Sequence, residues 1–179
     1  MRETPRAGTI EAIFSLFEEH GHMVDPGDGI NQLEHALQSA SLARKECRGD
    51  NLIAACLLHD IGHMLEGVGG EHHEAAGAAW LSRSFPPAVT EPIRLHAEAK
   101  RYLLTREPEY REQLAEASLM SLEFQGGLMS EKELNAFEEE PHHANAVHLR
   151  RIDDQAKDPS LESPPLNSWR MLLARLTSR

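Results

Sequence analysis

Aromatic residues are scarce, at 5% of the 179-residue chain, and no tract alternates apolar and polar residues in the manner of a half-buried strand. Both absences disfavour a β-sandwich or barrel, whose strands draw on β-branched and aromatic side chains. Cysteine is almost missing too: Cys47 and Cys56 make no disulfide framework, and Cys56 lies in an apolar run where a buried free thiol is ordinary. No stretch approaches the ~18 consecutive apolar residues of a membrane span. The opening MRETPRAGTIEAIF lacks the basic region and long apolar core of an export signal. The expectation is a cytoplasmic protein with no membrane partner. Positive charge is also in short supply, with a formal net charge of −11, which disfavours nucleic acid as a general partner. Any anionic ligand must therefore be met by a local cluster of cations.

What the chain does contain is Ala- and Leu-rich helical periodicity. Its length suits one domain over residues 1–179 with a sizeable core. Thr9 can cap IEAIFSLFEEH, in which Ile10, Ile13, Phe14 and Phe17 share a face. GHMVDPGDG reads as a loop. Asn31 opens INQLEHALQSASLARKEC, with Leu33, Leu37, Ala40 and Ala43 as its buried positions. Asp50 or Asn51 caps a helix running through NLIAACLLHDIGHM to the glycines of EGVGG. HHEAAGAAWLSRSF is broken by Pro86-Pro87, and Thr90 caps TEPIRLHAEAKRYL, with Pro92 in its first turn. PEYREQLAEASLMSLEFQGG forms a further helix, Ser130 and Glu133 stand in capping-box register, and Pro141 can start a helix through ANAVHLRRIDDQAK. SLESPP is a break and LNSWRMLLARL a closing helix. The architecture predicted is an all-α helical bundle of eight or nine helices.

Eleven histidines are present, and His35, His59, His63, His73 and His96 fall inside partly apolar helical segments. Any one of them alone reads as a packed or surface histidine. Their density within a short interval points elsewhere, because a divalent metal satisfies several buried imidazoles at once. In CLLHDIGHM, His59 and Asp60 are adjacent and diverge by about 100° on a helix. They converge only on a point lying between their directions. His35 can supply a third donor from the preceding helix, and Asp153 or Asp154 of HLRRIDDQAK a late carboxylate. His20, His22, His142, His143 and His148 lie beside acidic or loop residues and read as surface.

A lone His, an adjacent His-Asp pair in an apolar LLHDIGH context and a distant Asp together resemble the HD-domain superfamily of metal-dependent enzymes. The resemblance assigns His35, His59, Asp60 and Asp153 as metal ligands. It adds His73 and His96 for a second metal, as in binuclear members, with His72 the competitor of His73. Asp60 is then the bridge, since one carboxylate can span two ions. INQLEHALQSA, HHEAAGAAWL, HAEAKRYL, EASLMSLEFQGG and LRRIDDQAK carry the resemblance further. They are similar to the mixed-valent diiron oxygenases that use dioxygen to cleave the C–P bond of 1-hydroxyphosphonates.

That resemblance implies two iron ions, Fe(II)/Fe(III), and a small phosphonate held by Lys100, Ser118, Ser121, Gln125 and Arg150. His63, one turn beyond His59, is placed as a substrate contact and, with Lys100, as a catalytic group. Ser118, Ser121 and Gln125 share one helical face. The family's loop before the first ligand carries a Tyr lid and a Glu for the substrate amine, but MVDPGDGINQ has Asp25 near the Tyr position and Asp28 at the Glu position. Asp25 is expected as a resting ligand or lid in place of the Tyr. Asp28 leaves more room, which suits (R)-1-hydroxy-2-(trimethylammonio)ethylphosphonate, cleaved to glycine betaine and phosphate. The alternatives are the primary amine, cleaved to glycine and phosphate, and a phosphohydrolase that needs no oxygen.

Overall fold

A computed structural model of the protein describes residues 9–24, 29–65 and 72–177. Asp25 and Asp28 lie outside the described residues. The α-helices are α1 (Ile10–His20), α2 (Gln32–Lys45), α3 (Asp50–Leu58), α4 (His73–Leu81), α5 (Pro87–Arg106), α6 (Glu116–Phe124), α7 (Glu131–Glu139), α8 (His143–Gln155) and α9 (Arg170–Leu176). Tight 3-10 turns occupy Ile61–Met64, Pro108–Gln113 and Leu166–Trp169. Among the described residues extended pairing is limited to an isolated bridge between Val24 and Asn31. The protein is all-α.

Capping chemistry sets several of these starts. Thr9 accepts the Ala12 amide, and reciprocal capping boxes join Asn31 to Glu34 and Ser130 to Glu133. Helix α3 is buried from Leu52 to Leu58, which makes it the central element. Around it pack Ile13, Phe14 and Phe17 of α1, Ala40 and Ala43 of α2, Val89 and Ile93 of α5, Leu149 and Ile152 of α8, and Leu172 of α9. Further along, α5 leaves this core and contributes Leu95 and Ala99 to a second cluster with Phe137, then Leu103 and Leu104 to a third with Tyr110 and Leu122.

Several boundaries differ from the sequence expectation, among them the start of α3, where Gly49 stands at the cap with no side-chain hydrogen bond and Asp50 is already helical, and that of α8, which begins at His143 rather than Pro141. The long helix expected through HDIGHM stops at Leu58; Asp60 turns to φ −99°, ψ 9°, and a 3-10 turn follows. Helix α5 begins at Pro87, not Thr90, because proline suits the first helical turn. Pro92 therefore falls in the second turn, and Thr90 is buried within the helix instead of capping it. The single helix expected from Pro108 onward is split, since Leu114 and Ala115 are extended before α6 starts. The closing segment is likewise a 3-10 turn leading into a short α9.

Candidate dinuclear metal centre

The helix break at His59-Asp60 sets the geometry of the site. His59 caps the fully buried end of α3, and the turn at Asp60 swings its carboxylate out of the helical register. Adjacent residues that would diverge on a continuous helix can thus address one region. Gly62 makes the next step possible: a Cβ there would lie 1.9 Å from the His73 carbonyl oxygen, so only glycine lets α4 begin against the turn.

Two triads result. His35 of α2, His59 and Asp153 of α8 form one, and Asp60, His73 of α4 and His96 of α5 form the other; within each, the ligating atoms lie within 4.8 Å of one another. Asp60 divides its carboxylate between them. Its Oδ2 is 3.3 Å from His59 Nε2 and 3.6 Å from His35 Nε2. Its Oδ1 is 3.4 Å from His73 Nε2 and 3.7 Å from His96 Nε2.

The imidazoles are held from behind. Nδ1 of His35, His59 and His96 faces the backbone carbonyls of Ala156, Cys56 and Ile93 at 2.8, 2.9 and 2.7 Å. Nδ1 of His73 lies 3.4 Å from Glu74 Oε2. With Nδ1 of His35, His59 and His96 as donors, their Nε2 lone pairs are turned inward, and the Nε2 atoms lie 3.1 Å apart for His35 and His59 and 3.2 Å apart for His73 and His96. Lone pairs cannot be each other's partners. A cation shared by each triad satisfies them, and an all-nitrogen-and-oxygen set suits iron, manganese or zinc.

The protonation pattern states the same demand. Burial would lower the His59 pKa, but Asp60 and a hydrogen bond to Asp153 overcome it and raise it to about 10. Burial, with His73 and His59 nearby, pushes His96 down to about 3. Despite burial, His59 holds Asp60, and Arg150 holds Asp153, well below the usual carboxylate range. Without metal, the paired carboxylates retain a proton on His59 as their counter-charge.

Beside this centre the structure assembles a buried polar cluster around Lys100 and Arg150. The Lys100 ammonium, one turn past His96, donates to the Ser118 carbonyl at 3.0 Å and the Ser121 hydroxyl at 2.7 Å. Burial and the neighbouring Arg150 lower its pKa to about 8. Arg150 donates to Asp153 Oδ2 at 2.8 Å, to both oxygens of Asp154, and to the Ser118 hydroxyl at 3.3 Å. Gln125 caps the end of α6, and its Oε1 is buried with no hydrogen-bond partner. His63 stacks on His73, with ring centroids 3.8 Å apart.

His72, the rival for the second triad, is instead exposed and turned to Glu74. His20, His22, His142, His143 and His148 enter neither triad. Asp154 carried a weak signal as the second half of an Asp-Asp pair, four residues after Arg150. It lies against Arg150 and Tyr110 and leaves the triad to Asp153. Tyr110 gave no signal, because nothing in sequence announces a contact 44 residues away.

Residues 33–123 match the HD domain. The chain belongs to the HD-domain family, whose members are metal-dependent enzymes. Its relatives narrow the placement to the family's dioxygenases. The chain is 43% identical over 169 residues to a hydroxymethylphosphonate dioxygenase of Gimesia maris, spanning 89% of this chain and 84% of that one. It is 33% identical over 182 residues to the glycine-betaine-forming [1-hydroxy-2-(trimethylamino)ethyl]phosphonate dioxygenase of Leisingera caerulea, spanning 97% and 93%. It is also 34% identical over 179 residues to an uncharacterized protein of Acanthamoeba polyphaga mimivirus, spanning 94% and 82%.

Proposed function

We propose that the protein cleaves the C–P bond of a 1-hydroxyphosphonate with dioxygen, yielding phosphate and a carboxylate, at a pair of iron ions in the Fe(II)/Fe(III) state. The observation that carries this reading is the division of Asp60 between two His-containing triads, which fits two ions joined by one carboxylate. His35, His59 and Asp153 would hold one iron and His73 and His96 the other, with Asp60 available to both. When bound, the irons would relay electrons from the C–H and C–P bonds of the substrate to dioxygen, a redox role that no side chain in the site can fill.

The chain's own residues select and orient the substrate. Lys100 presents an ammonium that is already held by Ser118 and Ser121, so the phosphonate meets a fixed charge at little further entropic cost. Arg150 adds a guanidinium ordered by two carboxylates, and Gln125 offers a buried polar group at the same helix. His63, stacked on His73, would hydrogen-bond a substrate oxygen.

Within the 1-hydroxyphosphonates, the higher identity to the Gimesia maris protein favours hydroxymethylphosphonate, which has no amine to recognise. The trimethylammonio substrate is the second reading, supported by the Leisingera caerulea relative and by the shorter Asp28 in place of a Glu. Anaerobic iron loading followed by Mössbauer and EPR spectroscopy tests the centre. A coupled mixed-valent signal that changes on adding phosphonate is expected. Oxygen uptake measured side by side with hydroxymethylphosphonate, the trimethylammonio compound and the primary amine then ranks the substrates. Phosphate release from a phosphomonoester without oxygen would replace this reading with a hydrolase.

A further inference from the structure

Arg150 is gripped from two sides by its own helix. Toward the centre, Nη1 donates to Asp153 Oδ2 at 2.8 Å, leaving Asp153 Oδ1 to face His35 at 3.1 Å and His59 at 3.7 Å. Away from the centre, Nε and Nη2 engage both oxygens of Asp154, and Oδ2 of that carboxylate also accepts the Tyr110 hydroxyl. Burial and the negative Asp154 push the Tyr110 phenol up, so it remains a donor throughout the working range. Tyr110 is itself fixed, packed with Leu103, Leu104 and Leu122 on the turn that links α5 to α6. Arg151 braces the same turn, with two 2.7 Å contacts to Glu107 and its guanidinium 5.6 Å from the Tyr110 ring.

We propose that Asp154 and Tyr110 are positioning residues that act through Arg150 to decide which oxygen of Asp153 is offered to the first metal position. A planar guanidinium held by two donors to one carboxylate has its plane fixed, and with it the direction of the remaining nitrogen. That nitrogen occupies Asp153 Oδ2, so Asp153 presents a single oxygen. If Asp154 no longer holds the fork, Arg150 can rotate, Asp153 is free to turn, and the first triad loses its geometry while the second is untouched. The same chain of contacts links the α5–α6 turn, and so Lys100 of α5 and Ser118 of α6, to the metal-binding end of α8.

This inference rests on the dinuclear reading of the centre but not on the reaction. Equilibrium Mn(II) binding under chelator competition tests it, with Asp154→Asn and Tyr110→Phe beside the wild type and metal-free thermal midpoints as a check on folding. The wild type is expected to bind two Mn(II). Asp154→Asn is expected to weaken one of them by about tenfold, the scale of an outer-shell partner of a metal ligand, and to leave the other unchanged. Tyr110→Phe keeps the packed ring and is expected to give a smaller loss at the same position. Should Asp154→Asn fail to fold, Tyr110→Phe decides on that readout. Two unchanged affinities in a folded variant, or an equal loss at both positions, overturns the proposal. A wild type that binds fewer than two ions overturns the dinuclear reading instead.

Discussion

His35 Nε2 lies 3.1 Å from Asp153 Oδ1, and the other polar atom of each group is already committed, to the Ala156 carbonyl and to Arg150. The metal-free pair depends on a proton in the triad, which His59 retains up to about pH 10. Because the folded pKa is raised, that proton is present below pH 10 and must leave when metal enters. Metal binding therefore releases a proton, and affinity is expected to rise steadily from pH 6 to 8 in chelator competition.

Asp60 belongs to the second triad and also turns Oδ2 toward His59 and His35 of the first, whereas His96 faces the second alone. Asp60→Ala is expected to weaken both metal equivalents, and His96→Ala to remove one while sparing the other. Metal content per chain after anaerobic loading and desalting distinguishes the two outcomes. An equal effect of both variants would contradict a bridging Asp60.

The contact of Gly62 with the His73 backbone leaves no space for a side chain. Gly62→Ala must push α4 from the turn, at a cost of about 1–3 kcal/mol or more by overpacking, and should cost the second metal position as well. Gly77→Ala, whose Cβ would meet the Gly62 amide nitrogen at 3.1 Å, is expected to be milder. Gly49→Ala, with nothing within 4 Å, provides the control. Thermal melts of the three variants, with metal and without, give the order.

Lys100 is charged below its pKa of about 8 and neutral above it. Phosphonate binding should weaken as pH rises from 7 to 9, seen as an increase in KM by oxygen uptake while kcat changes less. Lys100→Met removes the charge and keeps an unbranched apolar chain. It is expected to raise KM about tenfold or more, since a charge-assisted contact contributes roughly 1.5–3 kcal/mol, and to flatten this limb of the pH profile.

His35, His59, Asp60 and Asp153 are legible as metal-binding side-chain types, His73 and His96 joined them only through the family resemblance, and the fold gathers the six into two triads. Periodicity also revealed α1, α2 and α7, whose starts carry side-chain caps. The break after Leu58 was hidden, since LLHDIGHM keeps a helical apolar rhythm and the close approach that stops it comes from α4. The split after Pro108 was hidden for a similar reason: burial of Tyr110 in a tertiary cluster overrides a sequence with good helical propensity. Arg150 is readable as a cation, but its division between Asp153 and Asp154 is a matter of rotamer and packing.

The carbonyl that steadies His35 belongs to Ala156, 121 residues further along the chain. An ion shared by His35, His59 and Asp153 thus ties the second helix to the eighth and closes nearly two thirds of the polypeptide into a loop. Its effect on the unfolded ensemble resembles that of a long-range cross-link, whose entropic benefit grows with the length enclosed. Metal supply then bears on the fold as well: without the ion, α8 is joined to α2 by packing and by polar contacts such as His35 with the Ala156 carbonyl, and amide exchange in α8 is expected to rise.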